Sequence, residues 1–261
     1  MSYVRLKHTL SKIALDAIEH PGRARSVTAL AAYARMSAGG GPAQLAGIAG
    51  TMGMSTEGVR RLFLRTGLFV PAVGGRAIAL APEFHPLATY FYRQVGRLGD
   101  TLHLLEAPRP ASVPPRIWRA AALFNAGLFF ECHEYLEDFW RAAREPERTF
   151  LHGLVQAAAG CYHLEKGNLH GARTLIGKAI AKLRPYGPTT LGLDVATLLK
   201  GLEGTVAAAD TRPPGLEWGR RDLPVMRLAE ERVAGAPEMP AGRSVRVLRA
   251  AARRRGGRRF L

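Results

Sequence analysis

Apolar residues recur every three to four positions along most of the chain, and this spacing predicts helices rather than strands. The first such run covers about residues 4–18 and ends at the breaker His20-Pro21-Gly22. A second run covers about residues 26–36 and ends before three consecutive glycines. Proline removes a backbone donor and glycine loosens the backbone, so both breaks are expected to end a helix. The chain is therefore predicted to be mostly α.

A different pattern follows, in which two short amphipathic helices are separated by a glycine. Ala49 lies four residues before Gly53, and apolar residues flank this glycine at helical spacing, which predicts a helix, a tight turn and a second helix. The next stretch, LFVPAVGGRAIALAP, predicts two short strands joined at a pair of glycines. Over about residues 25–85, this arrangement resembles the winged helix-turn-helix family.

The resemblance implies that the second helix of the pair enters the major groove of DNA. The side chains that it would present are Thr56, Arg60, Arg61 and Arg65, with Arg76 on the wing. Many winged helices instead serve dimerisation or docking, and Glu57 would repel a phosphate backbone. A protein partner is therefore left open beside DNA.

Beyond residue 115 the helical spacing returns and predicts a small antiparallel bundle of about four helices, because the connecting loops are short. The predicted helices cover about residues 116–143, 147–165, 168–184 and 191–209. On the first of them, His133, Glu137 and Trp140 share one face, which apolar side chains flank. Polar groups on such a face need partners, and the next helix offers Gln156 and His163.

Three hypotheses compete for this polar cluster. In a structural network, Glu134 or Glu137 would hold His163 and fix the packing of the helices. In a metal site, His133, Glu137 and His163 would be ligands. In an enzyme, a His–Glu pair would act as general acid and base, but no nucleophile, phosphate loop or oxyanion site is recognisable. The residues favour the structural network, so neither a metal nor another cofactor is assigned and a non-enzymatic role is favoured.

The same region shows ordered agreement with a family over two helices and two loops. The agreeing residues are Phe124-Asn125, His133-Glu134, Glu137, Trp140, Phe150, Gly153-Leu154, Gln156-Ala157-Ala158, His163, Gly167-Asn168 and Gly171-Ala172. They resemble the helical domain of unknown function 309 over about residues 116–185. The resemblance implies a compact all-α fold and supplies no function. The cluster that it singles out consists of His133, Glu134, Glu137, Trp140, Gln156, His163 and Asn168.

The net charge of +16 is concentrated at the two ends of the chain. Residues 1–100 contain 12 Lys and Arg against 5 Asp and Glu, residues 101–211 contain 12 against 11, and residues 212–261 contain 13 against 5. This distribution favours a polyanion such as DNA as partner of the basic ends. The central helices are left with a different role, either binding a small molecule or self-association.

The composition predicts a cytoplasmic protein. The sequence contains no run of about 18 apolar residues, so no membrane span is predicted. The first 20 residues lack the apolar block of a signal peptide. Cys132 and Cys161 have no CxxC spacing and are interpreted as reduced, buried thiols. The predicted domains are a winged-helix-like domain (1–100), a proline-rich linker (101–115), the helical bundle (116–210) and a basic, largely disordered tail (211–261).

Two functions are thus expected. In the first, the protein associates with nucleic acid or acts as a regulator, and its helical domain senses a ligand or mediates assembly. The alternative is a metal-binding protein or metal-dependent enzyme that uses the cluster of His133, Glu137 and His163.

Overall fold

Glycine and proline divide the chain into helices close to the positions that the sequence predicts. The structure, a computed structural model, describes residues 1–37, 40–211, 218–219 and 222–229. The helices in these ranges are α1 (Ser2–Glu19), α2 (Arg25–Met36), α3 (Leu45–Met52), α4 (Thr56–Thr66), α5 (Ala88–Leu104), α6 (Pro115–Asn125), α7 (Phe129–Ala142), α8 (Glu147–Glu165), α9 (Leu169–Leu183) and α10 (Val195–Thr211). Short 3-10 turns cover Pro21–Arg23, Pro82–Leu87 and Arg184–Tyr186. The mostly α fold class is confirmed, and none of the described helices is both long and apolar enough to cross a membrane.

In the described part of the chain, five short strands accompany the helices. They are β1 (Ala43–Gln44), β2 (Phe69–Ala72), β3 (Ala77–Leu80), β4 (Thr189–Thr190) and β5 (Leu193–Asp194). In the N-terminal part, β3 lies between β1 and β2 and pairs antiparallel with both. A second antiparallel pair, β4 and β5, precedes α10.

The N-terminal unit, from α1 through α5, contains a tight turn between α3 and α4. Gly53 ends α3 with a φ of +60°, a left-handed conformation that glycine adopts without strain. The Oγ of Ser55 then accepts a hydrogen bond from the Gly58 N–H at 3.1 Å and caps α4. Helix, turn, helix and hairpin thus form at the positions where the sequence predicts them. Their assignment as a winged helix remains a prediction.

The central bundle begins with two helices where the sequence predicts one long helix at about 116–143. Gly127 has a φ of +82°, and its N–H donates to the Phe124 carbonyl while the Leu128 N–H donates to the Leu123 carbonyl. These bonds close α6 and redirect the chain into α7. With α8, α9 and α10, the described part of the bundle contains five helices rather than about four.

Two apolar cores are built on shared helices. The N-terminal core receives Leu6 and Leu10 from α1 and Phe91 and Val95 from α5. The central core receives Ala14, Ala17 and Ile18 from α1 and Leu98 from α5, together with side chains of α6 to α10. Each of the two helices therefore buries successive turns in different cores.

The predicted linker is only partly irregular. Helix α5 continues through Leu104, so residues 101–104 are helical, and the irregular chain runs from there to the start of α6 at Pro115. Within it, the Val113 side chain is fully buried in the central core. Residues 1–230 group into one compact unit, and the division into separately folding domains remains a prediction.

Part of the predicted tail belongs to the folded unit. Met226 is 1% exposed, its N–H donates to the Asn125 Oδ1 at 2.8 Å, and its carbonyl accepts from the Asn125 Nδ2 at 2.9 Å. The Asp194 N–H donates to the Arg227 carbonyl at 2.9 Å. The predicted boundary near residue 210 is therefore too early, because residues 222–229 pack against α6 and β5. Apart from residues 211, 218 and 219, the remainder of the predicted tail lies outside the described residues.

The close approach of α8 and α9 generates a test of the packing. A Cβ at Gly160 would lie 2.6 Å from the Ile176 Cγ1 and 3.1 Å from the Ile176 backbone nitrogen. Gly160→Ala should therefore lower the free energy of unfolding by about 1–3 kcal/mol, as overpacked cores do.

The matched control is Gly177→Ala on α9, where a Cβ would meet no atom within 4 Å. That change should raise the free energy of unfolding by about 0.5–1 kcal/mol through helix propensity. Urea unfolding of both variants provides the comparison. Equal effects of the two substitutions would contradict the described packing of α8 on α9.

Candidate functional site

Helix α4 and the β2–β3 hairpin are joined by one side chain of the predicted nucleic-acid set. The Nη2 of Arg60 donates to the Gly75 carbonyl at 2.6 Å, across the turn between the two strands. This bond uses the Arg60 guanidinium inside the unit, so the side chain has a structural role that the sequence did not indicate. The turn residue and α4 are thereby held in a fixed relation.

The other predicted contacts are exposed. Thr56 and Arg65 lie on α4 and Arg76 follows the turn glycine, all exposed to solvent. Arg61 retains 65% of its side-chain exposure, with its Nε 3.9 Å from a Glu57 carboxylate oxygen. The same carboxylate lies 3.7 Å from the Arg60 Nε, so Glu57 is balanced by two cations. Its expected repulsion of a phosphate backbone is correspondingly reduced.

The predicted polar cluster of the central bundle divides into separate groups. On α7, the Nδ1 of His133 lies 3.2 Å from a Glu134 oxygen, and the Glu137 carboxylate accepts from the Arg141 Nη2 at 2.7 Å. Among the described residues, His133, Glu134 and Glu137 form the group whose ligand atoms lie close enough for a metal, all within 4.8 Å of one another. The group is half-buried and comes from a single helix.

Trp140 and Gln156 form a second group. The Trp140 ring stacks on the His152 ring of α8 at 4.3 Å between centroids. Burial, followed by the nearby Lys182 and Arg148, lowers the pKa of His152. The Trp140 Nε1 and the Gln156 Oε1 are both buried without a hydrogen-bond partner in the described part of the chain. The Gln156 Oε1 is therefore a buried acceptor that the predicted network does not satisfy within the described residues.

His163 lies apart from the acidic cluster. Its Nδ1 lies 2.8 Å from the Asn168 Nδ2, and the Asn168 Oδ1 accepts from the Gly171 N–H at 2.9 Å to cap α9. The expected contact of His163 with Glu134 or Glu137 is wrong, because those carboxylates hold His133 and Arg141. His163 also falls outside the metal-competent group, so the predicted set of His133, Glu137 and His163 does not assemble.

Comparisons with known proteins bear on this region. Residues 117–175, from α6 into α9, match the family described as "Domain of unknown function (DUF309)". Residues 117–175 are a DUF309 domain. It is also 31% identical over 86 residues to the uncharacterized protein YpuF of Bacillus subtilis (strain 168), a match that covers 32% of this chain and 49% of YpuF. The chain thus spans about half the length of this curated relative, and the resemblance read from the residues is confirmed.

The DUF309 domain also contains a buried acid, Glu131, which the sequence did not single out. Its side chain is 2% exposed, and its Oε2 has no hydrogen-bond partner in the described residues. Burial raises the pKa of Glu131 to about 7; the Glu165 carboxylate adds to this, while its own backbone hydrogen bond, Arg97 and Lys7 oppose it. Near neutral pH this carboxyl group is therefore poised between its two protonation states.

The N-terminal unit and the DUF309 domain meet around this carboxyl group. The Arg97 Nη1 on α5 donates to a Glu165 oxygen on α8 at 2.7 Å. The charge of Glu131 also influences Tyr90, whose hydroxyl accepts from the Gln94 Nε2 at 3.1 Å. Gln94 is 5% exposed, and its own Oε1 has no partner among the described residues. The Glu131 Oε2 and the Gln94 Oε1 are thus two buried acceptors without a donor among the described residues of this interface.

Three tyrosines from three helices surround one lysine in this interface. The Lys166 Nζ lies 4.7 Å from the ring centroid of Tyr3, 5.2 Å from that of Tyr90 and 5.5 Å from that of Tyr162. The Tyr3 and Tyr162 hydroxyls are 3.4 Å apart. Burial opposes ionisation of Tyr3, but Lys166 and the neighbouring hydroxyls outweigh it and lower the pKa of Tyr3. Contacts of this kind hold α1, α5 and α8 together.

Replacing Glu131 by glutamine tests the buried carboxyl group. The folded-state pKa of about 7 lies above the ordinary value of 4.5, so the folded protein holds this proton more tightly than the unfolded chain. The resulting stability is fully present below about pH 4.5 and is lost as pH rises to about 7, a change of roughly 3 kcal/mol. Glu131→Gln removes this titration.

The expected result is that Glu131→Gln gains stability relative to the original protein as pH rises from 5 to 8. Urea unfolding at several pH values measures the difference. Glu134→Gln is the control, because the Glu134 side chain is 40% exposed. A stability difference for Glu131→Gln that stays constant over this pH range would contradict the assignment.

Proposed function

We propose that the unit formed by α3, α4, β2 and β3 binds duplex DNA, and that the DUF309 domain regulates this binding through the helices that both parts share. Ligand sensing or assembly by the DUF309 domain would act on α1 and α5. A cytoplasmic location is part of the same proposal.

The observation that carries the proposal is the bond between Arg60 and the Gly75 carbonyl. In the sequence, Arg61 directly follows Arg60, and Arg76 directly follows Gly75. This bond therefore links the two backbone segments that carry exposed cations, α4 with Arg61 and the hairpin turn with Arg76. A helix that reads the major groove beside a hairpin that contacts the backbone needs this kind of preorganised pair.

The proposal is tested by replacing Arg61 and Arg76 together by alanine. Each neutralised phosphate contributes to the salt dependence of binding, so the double variant should bind duplex DNA more weakly at every salt concentration. The slope of log affinity against log salt should become less steep by about 2. Fluorescence anisotropy with a labelled duplex at several salt concentrations measures both effects.

The matched control replaces Lys178 and Lys200, which are exposed on α9 and α10, and removes the same charge from the DUF309 side. This control should bind like the original protein. An equal loss of DNA affinity in the control would mean that net charge alone, and not the position of Arg61 and Arg76, determines binding. Absence of binding at low salt would reject the proposal.

Divalent-metal binding at His133, Glu134 and Glu137 is the second candidate function. Three ligand atoms within 4.8 Å of one another favour it. The existing contacts of this cluster weigh against it, because Glu137 already forms an ion pair with Arg141 and Glu134 already contacts the His133 ring. A metal would have to displace Arg141 from Glu137, come between His133 and Glu134, and recruit a fourth ligand.

Equilibrium dialysis of the full chain against zinc or manganese shows whether the cluster binds a metal or keeps its existing contacts. We expect no stoichiometric metal, because each carboxylate already has a partner. One bound ion per chain, lost in His133→Ala and retained in His170→Ala, would instead establish the second candidate function. His170 is an exposed histidine on α9 outside the cluster and serves as the control.

A further inference from the structure

A concave groove of about 710 Å³ lies between α1, the start of α2 and the C-terminal end of α4. It lies outside both the polar cluster of the DUF309 domain and the cations Arg61 and Arg76. Its volume falls in the range of pockets that hold small molecules.

The groove carries an excess of positive charge. Four cations line it, Lys12, Arg23, Arg25 and Arg65, against the single carboxylate of Asp16, which leaves a formal charge of +3. Asp16 is already held by the Arg23 Nη1 at 2.6 Å. Lys12, Arg25 and Arg65 have no acidic partner among the described residues. Cations gathered without a counter-charge repel one another, and an anion in the groove would relieve this repulsion.

Uncharged donors and apolar surface complete the lining. Ser26, which carries a hydroxyl, lines the groove at the first turn of α2, a helix of 12 residues that begins without a side-chain cap. Ile13 and Leu62 supply apolar surface to the same groove. The lining therefore matches a ligand that is strongly anionic at one end and apolar at the other.

We propose that this groove binds a nucleoside polyphosphate. The phosphates would lie against Lys12, Arg25 and Arg65, and the base would cover Ile13 and Leu62. Because Arg65 belongs to α4, an occupied groove would change the charge at the end of the helix that we propose for DNA binding. Only this last consequence rests on the proposed function, since binding in the groove itself does not require DNA.

Isothermal titration of the full-length protein with ATP, inorganic tripolyphosphate and adenosine tests the site. ATP should bind at one molecule per chain, tripolyphosphate more weakly because it makes no apolar contact, and adenosine not measurably. Replacing Lys12 and Arg25 together by alanine should weaken ATP binding about tenfold or more, because charge-assisted hydrogen bonds are lost. Both side chains are exposed, so the variant is expected to fold, and its thermal unfolding confirms this.

The double variant Lys178→Ala and Lys200→Ala removes the same charge elsewhere and should bind ATP like the original protein. The Arg61 and Arg76 double variant should also retain ATP binding, which separates this proposal from the DNA proposal. Failure of ATP to bind at low salt would overturn the inference. So would a Lys12 and Arg25 variant that binds ATP normally but loses affinity for duplex DNA, because the groove would then be a contact for the DNA backbone.

Discussion

The fold depends on two helices that each serve two apolar cores. Helix α1 buries Leu6 and Leu10 in the N-terminal core and Ala14 and Ile18 in the central one, and α5 is divided in the same way. Neither part can bury its own apolar surface without these helices, and burial of apolar surface is the main favourable term in folding. The DUF309 domain and the N-terminal unit are consequently parts of one packed structure.

Polar groups trapped by this sharing give the interface its chemistry. Packing α7 and α8 against α1 and α5 removes Glu131 and Gln94 from water, and each keeps an oxygen without a partner in the described residues. Such groups are costly, and protonation of Glu131 lowers the cost. The arginine–glutamate pair at 2.7 Å and the tyrosines around Lys166 lie at the same junction. A change in the protonation state of Glu131 therefore affects the packing of both the N-terminal unit and the DUF309 domain.

Local signals in the sequence were sufficient for most of the fold. Helix α8 begins and ends at the predicted residues, and Gly53 marks the predicted turn, because glycine, proline and apolar spacing act within a few residues. The site was harder. His163 pairs locally with Asn168 and does not reach the acids of α7. Glu131 becomes the buried acid, and that outcome depends on which helices pack against each face of α7. Arg60 illustrates the same limit, since its partner is a backbone carbonyl 15 residues away.

If the N-terminal unit and the DUF309 domain share one cooperative core, they should unfold together in urea. All three tryptophans, Trp118, Trp140 and Trp218, lie beyond residue 115, so their fluorescence reports on the central part alone. Hydrogen exchange of the amides in α3 and α4 reports on the N-terminal unit. Both probes should report one shared midpoint, and Glu131→Gln should shift this midpoint equally for both. Loss of protection in α3 and α4 at a urea concentration that leaves the tryptophan signal unchanged would contradict it.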